Sequence, residues 1–483
     1  MSTTPELTAR NFTAGLVAEA LIVEARRSRE HRRLYFAGHL GLTPAEVFAA
    51  LQVHLNPGTE VGDGNPPMIN PASGIPPVQF YWTAQIEHKL SSSIVATVGY
   101  VGMHTYHLGL WAKPNETDYK SAIPKYTPAA AAAGMPLNEW LELPISDPRI
   151  QAAGITAPWS GFQSVFGSAA TAAQALRPWP QYGDVDNPLD PIGSVSYNGL
   201  QTSLQKHFSQ GLTALLSWTF SKTIGDVDSN SGPSAAGENA IYSGGFQQDF
   251  YNQPSERSVT SSDVPHVVAL SYTYELPFGP KKKWLNHEGV VAHVVGGWSV
   301  SGIQQYQSGR PIHIEYDAFG SDNPFFAGGD GYAFRVNQVP GQPLKNPAYN
   351  PKCSGPVQTT AMRTPCQFYI NPAAFTIPAA ATFGNAPNFF SALRLPRYTN
   401  EDLSLSKRTK IFDNLDLQFQ ANFFNAFNRV VFSNGGDSQT FIINAAPPDL
   451  TQASIGSSST VFGIMTAQQN GARSIQFGLK FEF

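Results

Sequence analysis

The sequence has little charge. Asp, Glu, Lys and Arg make up 14% of its 483 residues, and the formal net charge is −4. Such a chain carries no strong basic field, so we expect no nucleic-acid partner. No run of about 18 apolar residues is present, so no transmembrane helix is predicted. The first ten residues, MSTTPELTAR, lack the basic segment and apolar core of a signal peptide.

Recognisable enzyme motifs are also missing. The chain contains no GxSxG and no HExxH sequence, and its eleven histidines are scattered. The two cysteines, Cys353 and Cys366, do not have CxxC spacing and have no histidine nearby. We therefore expect that the protein is not an enzyme and that it holds no cofactor.

Aromatic residues, in contrast, reach 12% of the chain, and many of them recur at every second position. The last segment, RSIQFGLKFEF, alternates strictly between apolar and polar or small residues. Period-two alternation predicts strands with two different faces. The predicted strands, about nine in number, lie near 82–90, 94–100, 195–208, 212–220, 268–276, 291–306, 399–408, 415–423 and 475–483.

The lengths of the connections alternate as well. Short or moderate segments, LSSS (90–93), FSQG (208–211), PFGPKKKWLNHEG (277–289) and KIFDN (410–414), follow every odd strand. Long ones, at 105–194, 224–260, 307–397 and 429–471, follow every even strand. A soluble sandwich also alternates along its strands. Long connections confined to one side of a meander are typical of transmembrane β-barrels, which have short periplasmic turns and long extracellular loops.

These observations predict an all-β fold, a partial antiparallel transmembrane β-barrel preceded by a short helical segment. The final strand then runs towards the periplasm and places Phe483 at the rim, where aromatic residues form a girdle. Outer-membrane lipid is the expected partner of the apolar face. A soluble secreted β-protein is the alternative if the apolar faces pack on each other.

Several segments, in order along 57–483, resemble the Oar-like branch of TonB-dependent receptors. The terminal strand is similar to the assembly signal that outer-membrane barrels present to their insertion machinery, here Ile475, Phe477, Leu479, Phe481 and Phe483. The other similar segments are TAAQALRPWPQY (171–182), YNGLQTSLQKHFSQGLTALLSWTFSKTIGD (197–226), DVPHVVALSYTYELPFGPKK (263–282), GGWSVSGIQQYQSGRPI (296–312), NPAAFTIPAAATFGNA (371–386) and NAFNRVVF (425–432).

The resemblance implies a receptor in the outer membrane of a Gram-negative bacterium that imports a scarce nutrient with energy delivered through TonB. Family members join a plug domain to a barrel of about 22 strands. We find no TonB box and no plug in this chain, so we interpret it as a fragment or a mis-started gene model. TonB would then contact only the missing plug region, and the barrel-assembly machinery would be a further partner. A passive porin, or an adhesin barrel that binds glycans or peptides, is the alternative function.

Residues 1–56 match nothing in that family. They are predicted to be helical, over 17–34 and again over 43–51, where Thr43 and Glu46 form a capping box. The origin of this segment is unclear, and its arginine-rich run is read as a solvated helix face rather than a partner site. We place the barrel portion at 57–483.

Two candidate sites lie in the long connections. Cys353 and Cys366 are expected to form a disulfide, since the proposed location outside the cell is oxidising, and closing so short a loop stabilises by roughly 3 kcal/mol. Asp226, Asp228 and Asn230 alternate as calcium ligands do in DVDSNSG (226–232). The EF-hand positions that require Gly and Glu are not matched, so a solvated polar loop is the favoured interpretation over a metal site.

Aromatic residues in the long connections are weak candidates for substrate contact. Exposed aromatic clusters on loops bind sugars and peptides, although the same residues can pack the loops on each other. Packing is slightly favoured here. The candidates are Trp159, Trp179, Tyr182, Phe250 and Tyr251.

Overall fold

The architecture was analysed in a computed structural model. It describes residues 75–112, 114–183, 185, 187–228, 248–249, 251–287, 289–316, 335–353, 365–379, 382–412, 415–433, 439–443, 462–465 and 467–483. The predicted helices within residues 1–56 lie outside the described residues, so the predicted boundary between 1–56 and 57–483 stays a prediction.

Nine long strands follow one another as neighbours in a single antiparallel sheet. They are β1 (Val78–Ser91), β2 (Ile94–Ala112), β3 (Asn187–Ser209), β4 (Leu212–Gly225), β5 (His266–Glu275), β6 (Trp298–Gln307), β7 (Tyr398–Phe412), β8 (Leu415–Phe424) and β9 (Ser474–Glu482). The predicted all-β meander is therefore confirmed. The sheet is not closed: β1 and β9 are its two edges.

The register places all the alternating apolar residues on one face. Trp218 stands opposite Val268, Leu405 opposite Val300, and Phe477 opposite Ala421. Because successive side chains point to opposite faces, the residues in between form a second face rich in Ser, Thr, Gln and Asn. We call these the outward face and the polar face.

Several strands are longer than predicted, and β2 and β3 exceed their predicted ranges the most. Pairing of β2 with β3 continues to Ala112 and Asn187, through register shifts that follow Tyr106 and Leu108. His107 takes a positive φ of 60° there. Each such bulge moves the next side chain to the other face, so the period-two pattern is lost although the pairing continues.

The strand predicted at 291–306 begins too early. Residues Val290–Val295 form a short helix, and the strand starts at Trp298. Between them, Gly297 has φ 74°, and a Cβ at this position would lie 2.3 Å from the Arg408 carbonyl oxygen. The chain thus needs glycine here to turn from the helix into β6.

The long connections carry their own structure. We name them L1 (113–186), L2 (226–265), L3 (308–397) and L4 (425–473). L1 holds five α-helices and one 3₁₀-helix, Gly167–Ala169. The α-helices are α1 (Tyr119–Ala132), α2 (Leu137–Leu141), α3 (Pro148–Ala152), α4 (Phe162–Phe166) and α5 (Ala172–Ala175), and α6 (Val290–Val295) precedes β6.

L3 and L4 share a small three-stranded sheet, in which Pro311–Tyr316 pairs antiparallel with Phe390–Arg394 and parallel with Thr440–Ile443. The remaining short strands and 3₁₀-helices are Ser258–Val259, Asn337–Gln338, Phe375–Thr376, Phe432–Ser433 and Ala467–Gln468, and Gln253–Glu256, Pro365–Gln367 and Pro372–Ala374. Among the described helices, none is both long and apolar enough to span a membrane.

Two buried apolar clusters lie in these connections. The first loop core lies within L1 and includes Trp140, Leu141, Ile150 and Phe162, all with 0% exposure. The second loop core joins L3 to L4. Its buried members include Ile312, Ile314, Phe375, Phe390, Phe441 and Phe462. The long connections are thus packed on themselves.

Candidate functional site

The polar face carries a groove of about 510 Å³ near the middle of the sheet. Its walls come from six neighbouring strands and combine hydroxyl and amide side chains with the apolar Leu215, Ile303 and Phe424, and Asp402 is the charged member. Among its lining residues are Gln205, Thr213, Ser271, Ser301, Ser404 and Asn422. A concave polar face opposite a continuous apolar face is the arrangement of a barrel whose interior is wet and whose exterior meets lipid.

Cross-strand hydrogen bonds line this polar face. The hydroxyl oxygens of Ser299 and Ser406 lie 2.7 Å apart, and Gln420 Nε2 donates across the strands to Ser404 Oγ over 3.4 Å. These uncharged groups can both donate and accept hydrogen bonds. They can therefore bind water without selecting for cations or for anions.

Above the sheet, buried ion pairs connect the long loops. Arg394 of L3 donates from Nη2 to Asp263 Oδ2 of L2 over 2.5 Å. The same carboxylate accepts from the Thr223 backbone N–H over 2.7 Å. Asp263 is 1% exposed, and a carboxylate so deeply buried requires such partners.

A second pair lies between L2 and the segment that enters the second loop core. Arg335 Nη1 donates to Glu256 Oε2 over 2.6 Å. Burial raises the pKa of Glu256, and the nearby Arg335 charge opposes that rise. Gln248 completes the link, since its Oε1 accepts from the Arg335 N–H and its Nε2 donates to the Gly384 carbonyl.

His313 is fully buried in the second loop core, and its Nε2 lies 3.2 Å from Glu315 Oε2. Its Nδ1 lies 2.5 Å from the Asn388 carbonyl oxygen. Both ring nitrogens are thus occupied by neighbouring chain, which is the arrangement of a structural histidine. No group of three or more His, Cys, Asp or Glu side chains that could hold a metal ion occurs among the described residues.

The three predicted calcium ligands are not assembled into one described site. Asp226 accepts from the N–H of Ser194 over 2.5 Å, and its other oxygen accepts from the Ser194 hydroxyl. Asp228 accepts from the N–H of Ser261 and, over 2.7 Å, from the Ser261 hydroxyl. Asn230 lies outside the described residues. The two carboxylates therefore cap backbone N–H groups at the outer ends of the strands.

The predicted loop aromatics lie in different surroundings. Trp159 packs on Phe162, with 5.0 Å between ring centroids, at the edge of the first loop core. Tyr251 donates from its hydroxyl to the Glu116 carbonyl over 2.9 Å. Phe250 lies outside the described residues.

Trp179 and Tyr182 are joined by one amide that the sequence analysis missed. Asn115, fully buried, accepts from the Trp179 N–H over 2.8 Å and donates to the carbonyl groups of both residues. A lone asparagine in a loop gives no sequence signal for this role. The amide fixes the position of the aromatic pair at the end of L1.

Cys353 and Cys366 form a disulfide, with Cα atoms 6.0 Å apart. In the terminal strand, the apolar residues pair with β8, for example Leu479 with Phe419. Their side chains are 47% or more exposed, and Phe483 is 98% exposed. Their role as an assembly signal stays a prediction.

Comparisons with known proteins place this chain in a family. A family model described as an outer membrane beta barrel domain matches residues 47–476. The chain is similar to the outer membrane transporter YddB from Escherichia coli, with 9% identity over 84% of this chain and 32% of that one, and a TM-score of 0.32. It is also similar to the ferripyoverdine receptor of Pseudomonas aeruginosa, with 10% identity, coverage of 84% and 27%, and a TM-score of 0.29.

A third similar structure is the ferric-catecholate import receptor Fiu from Escherichia coli, with 10% identity, coverage of 83% and 27%, and a TM-score of 0.28. The chain spans about a third or less of the length of these proteins. No curated protein sequence matched it. Because the family model covers most of the chain, this is an outer-membrane protein that belongs to the outer membrane beta barrel domain family.

Proposed function

We propose that this chain is the C-terminal barrel portion of a TonB-dependent receptor of the Oar-like branch, acting in the uptake of a nutrient across the outer membrane. The observation that carries the proposal is the nine-strand meander whose polar groove lies below long, folded loops at one end. A receptor needs both parts, since loops recognise a ligand and a wet interior lets it pass.

The loop architecture supports a receptor over a simple pore. L1 and the joined pair L3 and L4 each contain a packed core, and buried ion pairs tie L2 to L3. Such preorganised loops lower the entropic cost of holding a ligand. Trp179, Tyr182 and Tyr251 are the aromatic residues that we propose for substrate contact, because their backbones or hydroxyls are fixed by hydrogen bonds at the outer end.

The test is in vivo cross-linking of an epitope-tagged copy at its own locus, with and without a protonophore. A receptor is expected to be cross-linked to TonB, directly or through the plug, and the yield should change when the proton gradient collapses. Absence of any TonB product, together with swelling of liposomes that contain the purified protein, would contradict this function and identify a passive porin.

We also propose that the barrel-assembly machinery binds the terminal strand. Removing Phe483 should leave more unfolded protein in the periplasm, whereas replacing the equally terminal but polar-face Glu482 with Gln should not. Heat-modifiable gel mobility of membrane fractions reports the folded fraction. Equal folding of both variants would contradict this role.

A further inference from the structure

A cavity of about 1010 Å³ lies at the loop end of the sheet, between the strands and L3. Of the seven residues of the long strands in its wall, five belong to the outward face, because they are in phase with Leu270 and Leu403. The other two, Gln307 and Tyr398, lie at strand ends in the opposite phase. The five outward residues are His266, Val268, Tyr306, Thr399 and Glu401. The cavity therefore opens on the side of the sheet that meets lipid, at the level of the long loops.

The opposite wall is basic and aromatic. L3 contributes Lys345, Arg394 and Arg397, and L4 contributes Arg429. Glu401 is the carboxylate among the lining residues. In a protein whose formal net charge is −4, this is a local excess of positive charge.

Two of the four basic groups are already neutralised. Arg394 pairs with the buried Asp263. Arg429 Nη2 lies 3.2 Å from Glu401 Oε1, and the same carboxylate oxygen accepts from the Tyr306 hydroxyl. These contacts fix the strand side of the cavity to the loops.

Lys345 and Arg397 are different. Both are exposed, and no ion pair joins either side chain to an acidic residue in the part of the chain that the structure describes. The Lys345 ammonium lies 4.7 Å from the centroid of the Tyr369 ring, which holds it over the cavity wall. The two groups thus present uncompensated positive charge.

Two tyrosines support the basic residues. The rings of Tyr349 and Tyr369 meet edge to face, with 5.1 Å between centroids. Tyr369 donates from its hydroxyl to the Arg394 carbonyl over 2.5 Å. Burial raises the pKa of Tyr369 to about 12, so this ring adds no negative charge at physiological pH.

We propose that this cavity binds the phosphate-bearing saccharide headgroup of an outer-leaflet lipid. Lys345 and Arg397 contact the phosphate, since guanidinium and ammonium groups are the usual phosphate partners in proteins. The ring of Tyr349, the less buried of the two tyrosines, lies against the sugar, and the outward face below holds the acyl chains. The location selects a lipid over a soluble ligand, because the cavity faces away from the polar groove and stands where headgroups lie. The inference holds whether or not the barrel imports a nutrient.

The test measures binding of bisphosphorylated lipid A to the purified full-length protein in detergent, by native mass spectrometry and by titration. Lys345→Ala with Arg397→Ala is expected to weaken binding by about tenfold or more. Each Lys or Arg beside an anionic headgroup adds to the affinity, and the double variant removes both contributions. Lys345→Arg with Arg397→Lys should retain most of the affinity. Monophosphorylated lipid A should bind more weakly than the bisphosphorylated form.

The matched control is Lys125→Ala with Arg257→Ala. These residues are also exposed at the loop end and lie outside the cavity lining, and Lys125 lies over the Tyr126 ring as Lys345 does over Tyr369. The control should bind as the wild type does, and heat-modifiable mobility checks that every variant is folded. Equal lipid binding by K345A/R397A and the control would overturn the proposal. Displacement of lipid A by an equal concentration of inorganic phosphate would also overturn it, in favour of a soluble anion.

Discussion

The sheet and the loops of this protein treat their apolar side chains in opposite ways. Across the sheet, large apolar residues stay exposed, for instance Ile86 at 76% and Phe477 at 69%. In the loops, residues of the same kind are enclosed: Trp140 and Phe375 have 0% exposure. The difference indicates that the two regions fold against different surroundings, the loops against water and the outward face of the sheet against lipid. The loops bury apolar surface from water as a soluble domain does, whereas the outward face leaves that surface to lipid.

The largest expected effect tests the loop half of the comparison. Trp140→Ala removes a side chain that stacks on Tyr126 inside the first loop core. It should destabilise that core by about 3–5 kcal/mol, the cost of deleting a large buried aromatic. Hydrogen exchange over 119–176 should rise, while heat-modifiable mobility of the barrel should not change. Trp284→Ala, at a 51% exposed residue in the β5–β6 connection, is the control. A loss of barrel folding in W140A would show that loops and sheet are one cooperative unit.

The next effect tests the sheet half. Leu405→Arg places a charge on the outward face in the middle of β7, where its neighbours are Val300 and Ala421. It should destabilise the folded barrel by about 2–4 kcal/mol in lipid vesicles. Ser404→Arg, one residue earlier and on the polar face, should be nearly neutral. The measurement is urea unfolding in vesicles followed by tryptophan fluorescence. The two faces would have to be exchanged if Ser404→Arg were the more damaging variant.

A moderate effect is expected where the sheet passes into the loops. Asp228→Ala leaves the Ser261 N–H and hydroxyl without their carboxylate, at a cost of about 1.5–3 kcal/mol for a charged hydrogen-bond acceptor. Because the role is structural, thermal stability of the wild type should be the same in EDTA and in calcium. A calcium-dependent rise in melting temperature that D228A abolishes would instead support the metal interpretation.

The smallest effect concerns a helix cap at the surface of L1. Asp147 accepts from the Arg149 backbone N–H at the start of α3, and the side-chain and backbone hydrogen bonds from Arg149 lower its pKa to about 2. A lowered carboxyl pKa means that the contribution is complete above the ordinary value near 3.8 and is lost as the pH falls towards 2. Asp147→Ala should slightly increase amide exchange over 148–152 at pH 6. The difference from wild type should be much smaller at pH 2 and absent at about pH 1, and its persistence at that lower pH would exclude the carboxylate as the cause.

Much of the sheet could be predicted, because a strand with one apolar and one polar face alternates between apolar and polar residues in the sequence. Leu415 to Phe423 alternates without interruption, and the strand there spans Leu415–Phe424. Prediction failed where a bulge or a turn breaks the period, as at His107 in β2 and at Gly297 before β6. The apolar–polar alternation of a short segment does not show that strand pairing continues beyond a bulge.

The sites could not be predicted to the same extent, since they depend on residues far apart in the chain. Asp263 and Arg394 are 131 positions apart, and Asn115 meets Trp179 across 64. Alternate acidic residues marked 226–228 as a candidate site, but which groups the two carboxylates bind is set by L2 folding back on the strand ends. The cavity at the loop end has no motif at all: Lys345 and Arg397 acquire a shared function only because L3 places them in one wall.

The two loop cores also differ in how much of the chain each one needs. All members of the first lie between Ala122 and Ala173, within one connection. The second requires Ile312 and Phe390 from L3 together with Phe441 and Phe462 from L4. Loop closure over such separations is slow until other contacts bring the segments together. We therefore expect the first core to form from the residues of L1 alone. We expect the second core to pack only after the β7–β8 hairpin has paired and brought L3 and L4 together.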